Sequence, residues 1–360
     1  MNLKPDVRTI ACEFQIDGDF ASAEPFGSGH INDTYRVTYA SGNTPCRYIF
    51  QRLNHAVFPN PLAVMENGQR VTAHLAQKFA GQPDATRRVL TLVPTCAGKF
   101  FLRDIVGNFW RVFPFIEKTR TVDIVETPAQ AFAAARAFGQ FQTLLADLPT
   151  PRLHDTIPDF HHTPKRFSAL EKTVAADVVN RAATAKPEIE FALKNRAICR
   201  VLLNAQLPER VTHNDTKINN VLLDAATGEG VCVIDLDTVM PGLALYDFGD
   251  MVRSMTNPAA ENERDLAKVE MQFPVFEALS RGYRAAADFL TPAEKNLLPV
   301  AGQVVTFELG LRFLTDFLAG DTYFKVQRDG ENLDRCRAQF KLFESMRRQE
   351  SAMSKLVSEL

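Results

Sequence analysis

Val211-Thr-His-Asn-Asp-Thr-Lys-Ile-Asn-Asn-Val-Leu-Leu-Asp224 is the stretch on which the reading of this chain turns. It begins polar and turn-forming and ends in an apolar run of strand length. His213, Asp215 and Asn220 stand at H-x-D-x-x-x-x-N spacing, that of a phosphoryl-transfer catalytic loop. Asn220–Leu223 reads as a short strand, Asp-Ala-Ala-Thr-Gly-Glu-Gly as a turn, and Val231–Leu236 as a returning strand that carries Asp235. Phosphoryl transfer asks a protein for a carboxylate that accepts or orients the acceptor hydroxyl, and Asp215 is the candidate. It also asks for a neutral oxygen and a second carboxylate to hold Mg²⁺ against the phosphates. Asn220 and Asp235 are those candidates, since pairing of the hairpin would bring them together. Any one of these residues alone would be an ordinary cap or turn residue; the spacing of all of them together argues for catalysis.

The rest of the chain fits around this loop. Ala21–Phe26 and Asp33–Tyr39 alternate as in a hairpin, Arg47–Leu53 reads as a third strand, and Pro61–Phe79 as a helix with proline at its start. Arg88–Thr95, Lys99–Asp104 and Asn108–Ile116 are further strand candidates. After Glu117 helices take over, with Ala129–Leu145 and Pro187–Asn204 the longest early ones; Pro258, Pro292 and Pro299 mark expected breaks. The expected class is therefore α+β: a bilobal, protein-kinase-like fold. Residues 1–117 would form a small β-rich nucleotide-binding lobe ending in a hinge, and residues 118–360 a larger helical lobe with the catalytic loop and acceptor site.

Bulk properties exclude other functions. The 360 residues carry a formal net charge of −2, with 41 basic and 43 acidic side chains spread along the chain, so there is no footprint for a polyanion such as nucleic acid. No polybasic membrane anchor, apolar spanning run or secretory leader is evident, and a cytoplasmic location is expected. The six cysteines lie singly, without a C-x-x-C pair, and read as reduced core residues rather than a disulfide frame or zinc site. His161-His162 reads as a surface pair.

Within this frame a family resemblance is plain. His213-Asn-Asp-Thr-Lys-Ile-Asn-Asn220, Ile234-Asp-Leu-Asp-Thr238 and Leu245-Tyr-Asp-Phe-Gly-Asp250 resemble the bacterial N-acetylhexosamine 1-kinases of the aminoglycoside phosphotransferase superfamily. The resemblance implies ATP and Mg²⁺ as cofactors and a small-molecule sugar, N-acetylglucosamine or N-acetylgalactosamine, as the substrate phosphorylated on its 1-hydroxyl by way of Asp215. It casts Asp247 as a brace for the catalytic loop.

Glu24-Pro-Phe-Gly27-Ser28-Gly29-His30-Ile-Asn32-Asp-Thr-Tyr-Arg-Val37 lies between the first two strands. Glycines there allow backbone N–H groups to approach phosphate oxygens, and the segment is similar to the phosphate hairpin of the same kinases. It implies Gly27, Ser28, Gly29, His30 and Asn32 as nucleotide contacts. The third strand, Tyr48-Ile-Phe-Gln51-Arg52, has glutamine where a protein kinase has its phosphate-binding lysine. Gln51 joins the nucleotide set, while Glu66 is not assigned as the partner of such a lysine. Trp110–Glu117 stands where strands give way to helices. It is either an ordinary buried strand or the hinge, and as a hinge would set Phe113, Phe115 and Ile116 around adenine.

Glu308-Leu-Gly-Leu-Arg312 places an arginine in an apolar helical run, where a buried guanidinium needs a partner. An ion pair with Glu308 is one reading. The likeness of Glu308–Phe324 to the sugar kinases implies another, Arg312 and Tyr323 as sugar contacts. The catalytic loop itself does not separate a sugar from an amino alcohol, homoserine, methylthioribose or an aminoglycoside as acceptor. A protein kinase is disfavoured by the lack of an A-P-E element. A nucleotide-binding pseudokinase is disfavoured because Asp215, Asn220 and Asp235 are all present.

Overall fold

The computed structural model describes residues 6–27, 31–42 and 44–360. Ser28, Gly29 and His30 of the expected phosphate hairpin lie outside the described residues. The elements run α1 (Val7–Ala11), β1 (Asp19–Pro25), β2 (Asp33–Ser41), β3 (Thr44–Arg52), α2 (Pro61–Phe79), α3 (Ala85–Arg88), β4 (Leu102–Arg103), β5 (Phe109–Pro114) and β6 (Thr119–Arg120). They continue with α4 (Pro128–Leu145), α5 (Thr163–Ala176), α6 (Lys186–Lys194), α7 (Val201–Asn204), β7 (Arg210–Thr212), β8 (Val221–Asp224), β9 (Gly230–Val233) and β10 (Met240–Gly242). Last come α8 (Ala244–Met255), α9 (Phe273–Arg284), α10 (Pro292–Leu318) and α11 (Glu331–Glu359). This is the β-sheet-then-helix order of a kinase-like α+β fold. The chain divides into two compact units: 1–119 with 147–157 and 231–240, and 120–146 with 158–230 and 241–360.

The first unit is built on an antiparallel sheet in the order β1-β2-β3-β5-β4. Period-two alternation sends Val37, Phe50, Trp110 and Val112 to one face, where they pack with Val7, Ile10 and Phe14. Cross-strand register puts Thr34 opposite Gln51, and Gln51 opposite Arg111. Helix α2 starts as its sequence predicts, with Pro61 in the first turn and the Asn60 side chain accepting from Ala63 N–H. Its buried Asn67 donates from Nδ2 to the carbonyls of His154 (2.8 Å) and Val239 (3.0 Å) and accepts from His154 N–H. One carboxamide thus satisfies three backbone groups. Glu66 points elsewhere, pairing with His154 at a half-exposed position.

Arg88–Thr95 is not a strand. After the α3 turn it is extended but makes one ladder bond, Val93 N–H to Val112 C=O, and an isolated bridge from Thr95 to Phe14. Pro94 has no N–H to continue a ladder.

The second unit is helical. α4 and α10 open with capping boxes, Thr127/Gln130 and Thr291/Glu294, each with proline in the first turn. The helix expected over Pro187–Asn204 breaks at Asn195, whose side chain donates to the Phe191 carbonyl and competes with the helical ladder. Pro299 does not break a helix. It lies inside α10, where the lost hydrogen bond is offset by burial of Leu298, Ala301, Val304 and Val305 around it. α10 is apolar and long enough to cross a membrane by composition, but 78% of its most apolar window is buried in the fold, which marks a core helix.

Three of the six cysteines are not core residues: Cys12, Cys46 and Cys96 are exposed, while Cys199, Cys232 and Cys336 are buried. His161 is not a surface residue either. It is buried, with Nδ1 at 2.9 Å from Glu308 Oε1 and its ring stacked on Tyr246. The sequence hides this because its partner comes from a helix far along the chain.

Candidate active site

In the second unit the segment after β7 donates three backbone N–H groups to two carboxylates of α8. Asp247 accepts from the N–H groups of His213 (2.8 Å, Oδ2) and Asn214 (2.7 Å, Oδ1), and from Gln142 Nε2 at 2.7 Å. Burial pushes its carboxyl up to about 6, against the opposing pull of His213 and these donors. Asp250 accepts the Thr216 N–H at 2.7 Å and is paired with Arg253 at 2.8 Å. Asn214 sits at φ 64°, a left-handed conformation that asparagine tolerates better than most residues, and this turns the chain between the two braces. The His213 ring is buried edge-on against Phe138 and Phe141, and its Nδ1 accepts from Asp215 N–H at 3.3 Å.

This scaffold presents Asp215 and Asn220 together. Asn220 Nδ2 donates to the Asp215 carbonyl (2.8 Å) and to its Oδ2 (3.0 Å), so both carboxamide hydrogens are used and its carbonyl oxygen is the atom left to ligate a cation. Lys217 Nζ lies 3.0 Å from Asp215 Oδ1. Burial tends to raise the Asp215 carboxyl, but the charge and hydrogen bond of Lys217, with His213 and Arg253, hold it below the ordinary carboxylate range. It is an ionised carboxylate with directed lone pairs, the form that accepts a proton.

In the first unit Asp235 sits at φ 60°, ψ 62°, at the start of the single turn Leu236–Thr238. Asp237 in that turn pairs with Arg111 of β5 at 2.5 Å, both side chains being almost wholly buried. Asn32 Nδ2 donates to Asp237 Oδ2 at 2.7 Å while its Oδ1 accepts from Asn54 N–H. Gln51 Oε1 accepts from Arg111 Nε (3.1 Å) and Nη2 (2.9 Å), and Gln51 Nε2 donates to Thr34 Oγ1 at 3.3 Å. Gly27 adopts φ 83°, which suits glycine, and a Cβ there would meet nothing. Phe26, just before it, packs edge-on against Phe115, with 5.7 Å between ring centroids. Phe113 and Ile116 are buried on either side of Phe115 in sequence. Asn32 and Gln51 therefore belong to one polar network, and Phe115 touches the residue that precedes Gly27.

The acceptor candidates lie in the second unit. Arg312 does not pair with Glu308. Both Glu308 oxygens are engaged elsewhere, Oε1 by His161 and Oε2 by Thr163 Oγ1 at 2.6 Å. The Arg312 guanidinium lies instead over the rings of Phe160, Tyr323 and Phe324, at 5.3, 5.7 and 5.4 Å. Tyr323 is exposed, and its backbone N–H is held by Asp316.

Sequence reasoning missed Lys217, Asp250, Arg111, Asp237 and Asn67. Lys217 carried a signal, a lysine two residues after Asp215 of the H-x-D-x-x-x-x-N motif. Asp237 and Asp250 stood inside motifs already quoted but were given no role, and Arg111 and Asn67 are defined by partners distant in the chain.

A sheet-first, helix-second fold with a braced aspartate–asparagine loop defines a kinase-like phosphotransferase. The chain belongs to the phosphotransferase enzyme family (APH), which matches residues 22–289. Among solved structures it is similar in fold to a microcompartment-associated aminopropanol kinase (16% identity, 97% of this chain and 98% of the other covered, TM-score 0.62). It is also similar to a choline kinase from Cryptosporidium parvum Iowa II (13%, 98% of each chain, TM-score 0.59). A third likeness is to an aminoglycoside phosphotransferase solved as a ternary complex with streptomycin and ATP (12%, 96% and 99%, TM-score 0.52).

Proposed function

We propose that this chain is an ATP- and Mg²⁺-dependent kinase that phosphorylates the anomeric hydroxyl of an N-acetylhexosamine. Asp215 orients the acceptor hydroxyl and takes its proton as the oxygen attacks. Lys217 keeps that carboxylate ionised, and the Asp247 and Asp250 braces hold its backbone without reorganisation during the reaction. Asn220 and Asp235 are the proposed metal ligands. An all-oxygen pair fits Mg²⁺, which is held by one or two protein groups with phosphates and water completing its shell. When bound, ATP·Mg²⁺ supplies the phosphoryl group and the positive charge that offsets its oxygens. Gly27, Ser28, Gly29, His30, Asn32 and Gln51, with Phe113, Phe115 and Ile116, are the proposed nucleotide contacts.

The observation that carries the acceptor assignment is Arg312, left without a carboxylate partner because His161 and Thr163 occupy Glu308. A guanidinium on an aromatic platform beside exposed Tyr323 suits the hydroxyl and amide oxygens of a neutral sugar. A second guanidinium, Arg166, lies close by, donating to the Phe160 carbonyl at 2.9 Å. Burial, and then repulsion from Arg312, lower its proton affinity. Two such cations disfavour an ammonium-bearing acceptor such as choline or an aminoglycoside.

The test is ADP release with ATP·Mg²⁺ across N-acetylglucosamine, N-acetylgalactosamine, glucose, galactose, choline, homoserine and kanamycin, with product position read by phosphorus NMR. Turnover confined to N-acetylhexosamines with an anomeric phosphate is expected. Turnover only on an amino alcohol or aminoglycoside would overturn the acceptor assignment.

A further inference from the structure

The polar network of the first unit contains more charge than its packing requires. Arg111 and Asp237 are an ion pair with both side chains at or below 5% exposure, on the sheet face opposite the apolar core. Burying two charges gains little over burying two apolar groups, so such a pair is weak evidence of a stabilising role. The geometry is also incomplete. Asp237 Oδ2 has a directed donor in Asn32, but Oδ1 is buried with no directed hydrogen bond and is balanced by the charge of Arg111 alone. The network connects distinct parts of the unit. Asn32 belongs to the turn leading into β2, Gln51 to β3, Arg111 to β5, and Asp237 lies two residues beyond Asp235.

The structure assigns Arg111 a role for which this chain has no lysine on its third strand. We propose that Arg111 is a positioning residue for the nucleotide. By neutralising Asp237 and fixing Gln51, it sets both the placement of the Asp235 turn and the electrostatic potential on the face that carries Asn32 and Gln51. Its Nε and Nη2 donate to Gln51, and its Nη1 faces Asp237 Oδ1 as an ion pair. It therefore acts through these partners rather than as a phosphate ligand. The counter-charge comes from the residue two beyond Asp235, not from α2, where Glu66 is occupied with His154. This inference rests on the nucleotide reading of Asn32 and Gln51 given above.

The opposite signs of the pair provide the test. In Asp237→Asn the Arg111 cation is left uncompensated and should draw phosphate; in Arg111→Met the Asp237 carboxylate is left uncompensated and should repel it. ADP is titrated calorimetrically, with and without Mg²⁺, into wild type, both single variants and the Arg111→Met/Asp237→Asn double variant, with thermal melting in parallel. The expected result is a rise in metal-free ADP affinity for Asp237→Asn and a fall for Arg111→Met, each about tenfold. Both singles should melt below wild type, and the double variant should recover most of the loss while its Mg²⁺-linked gain in ADP affinity shrinks. Affinity changes of the same sign in both singles, following the loss of melting temperature, would reduce the pair to a structural one and overturn the proposal. If neither single folds, the double variant decides: wild-type ADP affinity with and without Mg²⁺ overturns the proposal, and a smaller Mg²⁺-linked gain supports it. Failure of wild type to bind ADP would instead overturn the nucleotide reading itself.

Discussion

Lys217 Nζ stands 3.0 Å from Asp215 Oδ1, on the side of the carboxylate that Asn220 does not occupy. One carboxylate oxygen faces an ammonium and the other a carboxamide, so the charge of Asp215 is fixed in both magnitude and direction. Asp215→Asn should reduce phosphoryl transfer by at least about a hundredfold with an unchanged circular dichroism spectrum and melting curve. Lys217→Met should lower kcat by about tenfold, the scale of one charge-assisted contact. Steady-state kinetics on the folded variants checks both, and wild-type turnover in Asp215→Asn would remove this residue from the mechanism.

Among the described residues Arg312 has aromatic contacts and no carboxylate at ion-pair distance, so its truncation should act on the acceptor and leave the nucleotide alone. Arg312→Met should raise KM for the acceptor by about tenfold or more while KM for ATP stays within twofold of its starting value, a bound of roughly 0.4 kcal/mol. A parallel rise in both constants would indicate a general loss of structure.

The Phe26–Phe115 contact makes the reverse prediction. An edge-to-face aromatic pair is worth about 1 kcal/mol, so Phe115→Ala should weaken ATP binding by roughly fivefold with little effect on KM for the acceptor. Fluorescent-nucleotide displacement measures this directly.

Glu308 is fully buried. Burial alone would raise its carboxyl, but the His161 charge and the hydrogen bonds from His161 and Thr163 hold it below its ordinary value of 4.5. A carboxylate with a depressed folded-state value stabilises the fold above the unfolded value, and that contribution is lost as pH falls through the folded one. Glu308→Gln should therefore cost about 2 kcal/mol near neutrality, and the difference from wild type should shrink below pH 4.5. Denaturant unfolding of both proteins across that range checks the sign. A gap that widens on acidification would contradict it.

Much of the fold was legible where a signal is local. The strand–turn–strand alternation of the first 50 residues, Pro61 at the start of α2 and the helical run Ala129–Leu145 of α4 are signals carried by contiguous residues, and the elements appear there. The errors have two causes, one inside the segment itself and one from a distant partner. Arg88–Thr95 has the composition of a strand, but Pro94 denies it a ladder. His161 looks like a loop histidine until α10 brings Glu308 against it.

The sequence by itself determined which residues of the H-x-D-x-x-x-x-N loop stand together, because Asp215 and Asn220 are five positions apart and the same short turn carries both. It also determined the class of fold, since periodicity and turn chemistry are properties of contiguous residues. Only the tertiary structure decided the charge state and the partners. Arg111 meets Gln51 because β3 and β5 pair in one register and not the next, and a slip of one residue would turn its guanidinium into the apolar core. Glu308 is withheld from Arg312 because His161 and Thr163 reach it first. Those outcomes depend on which side chains share a buried volume, and in a buried volume every charge must be matched to a partner that sequence spacing does not specify.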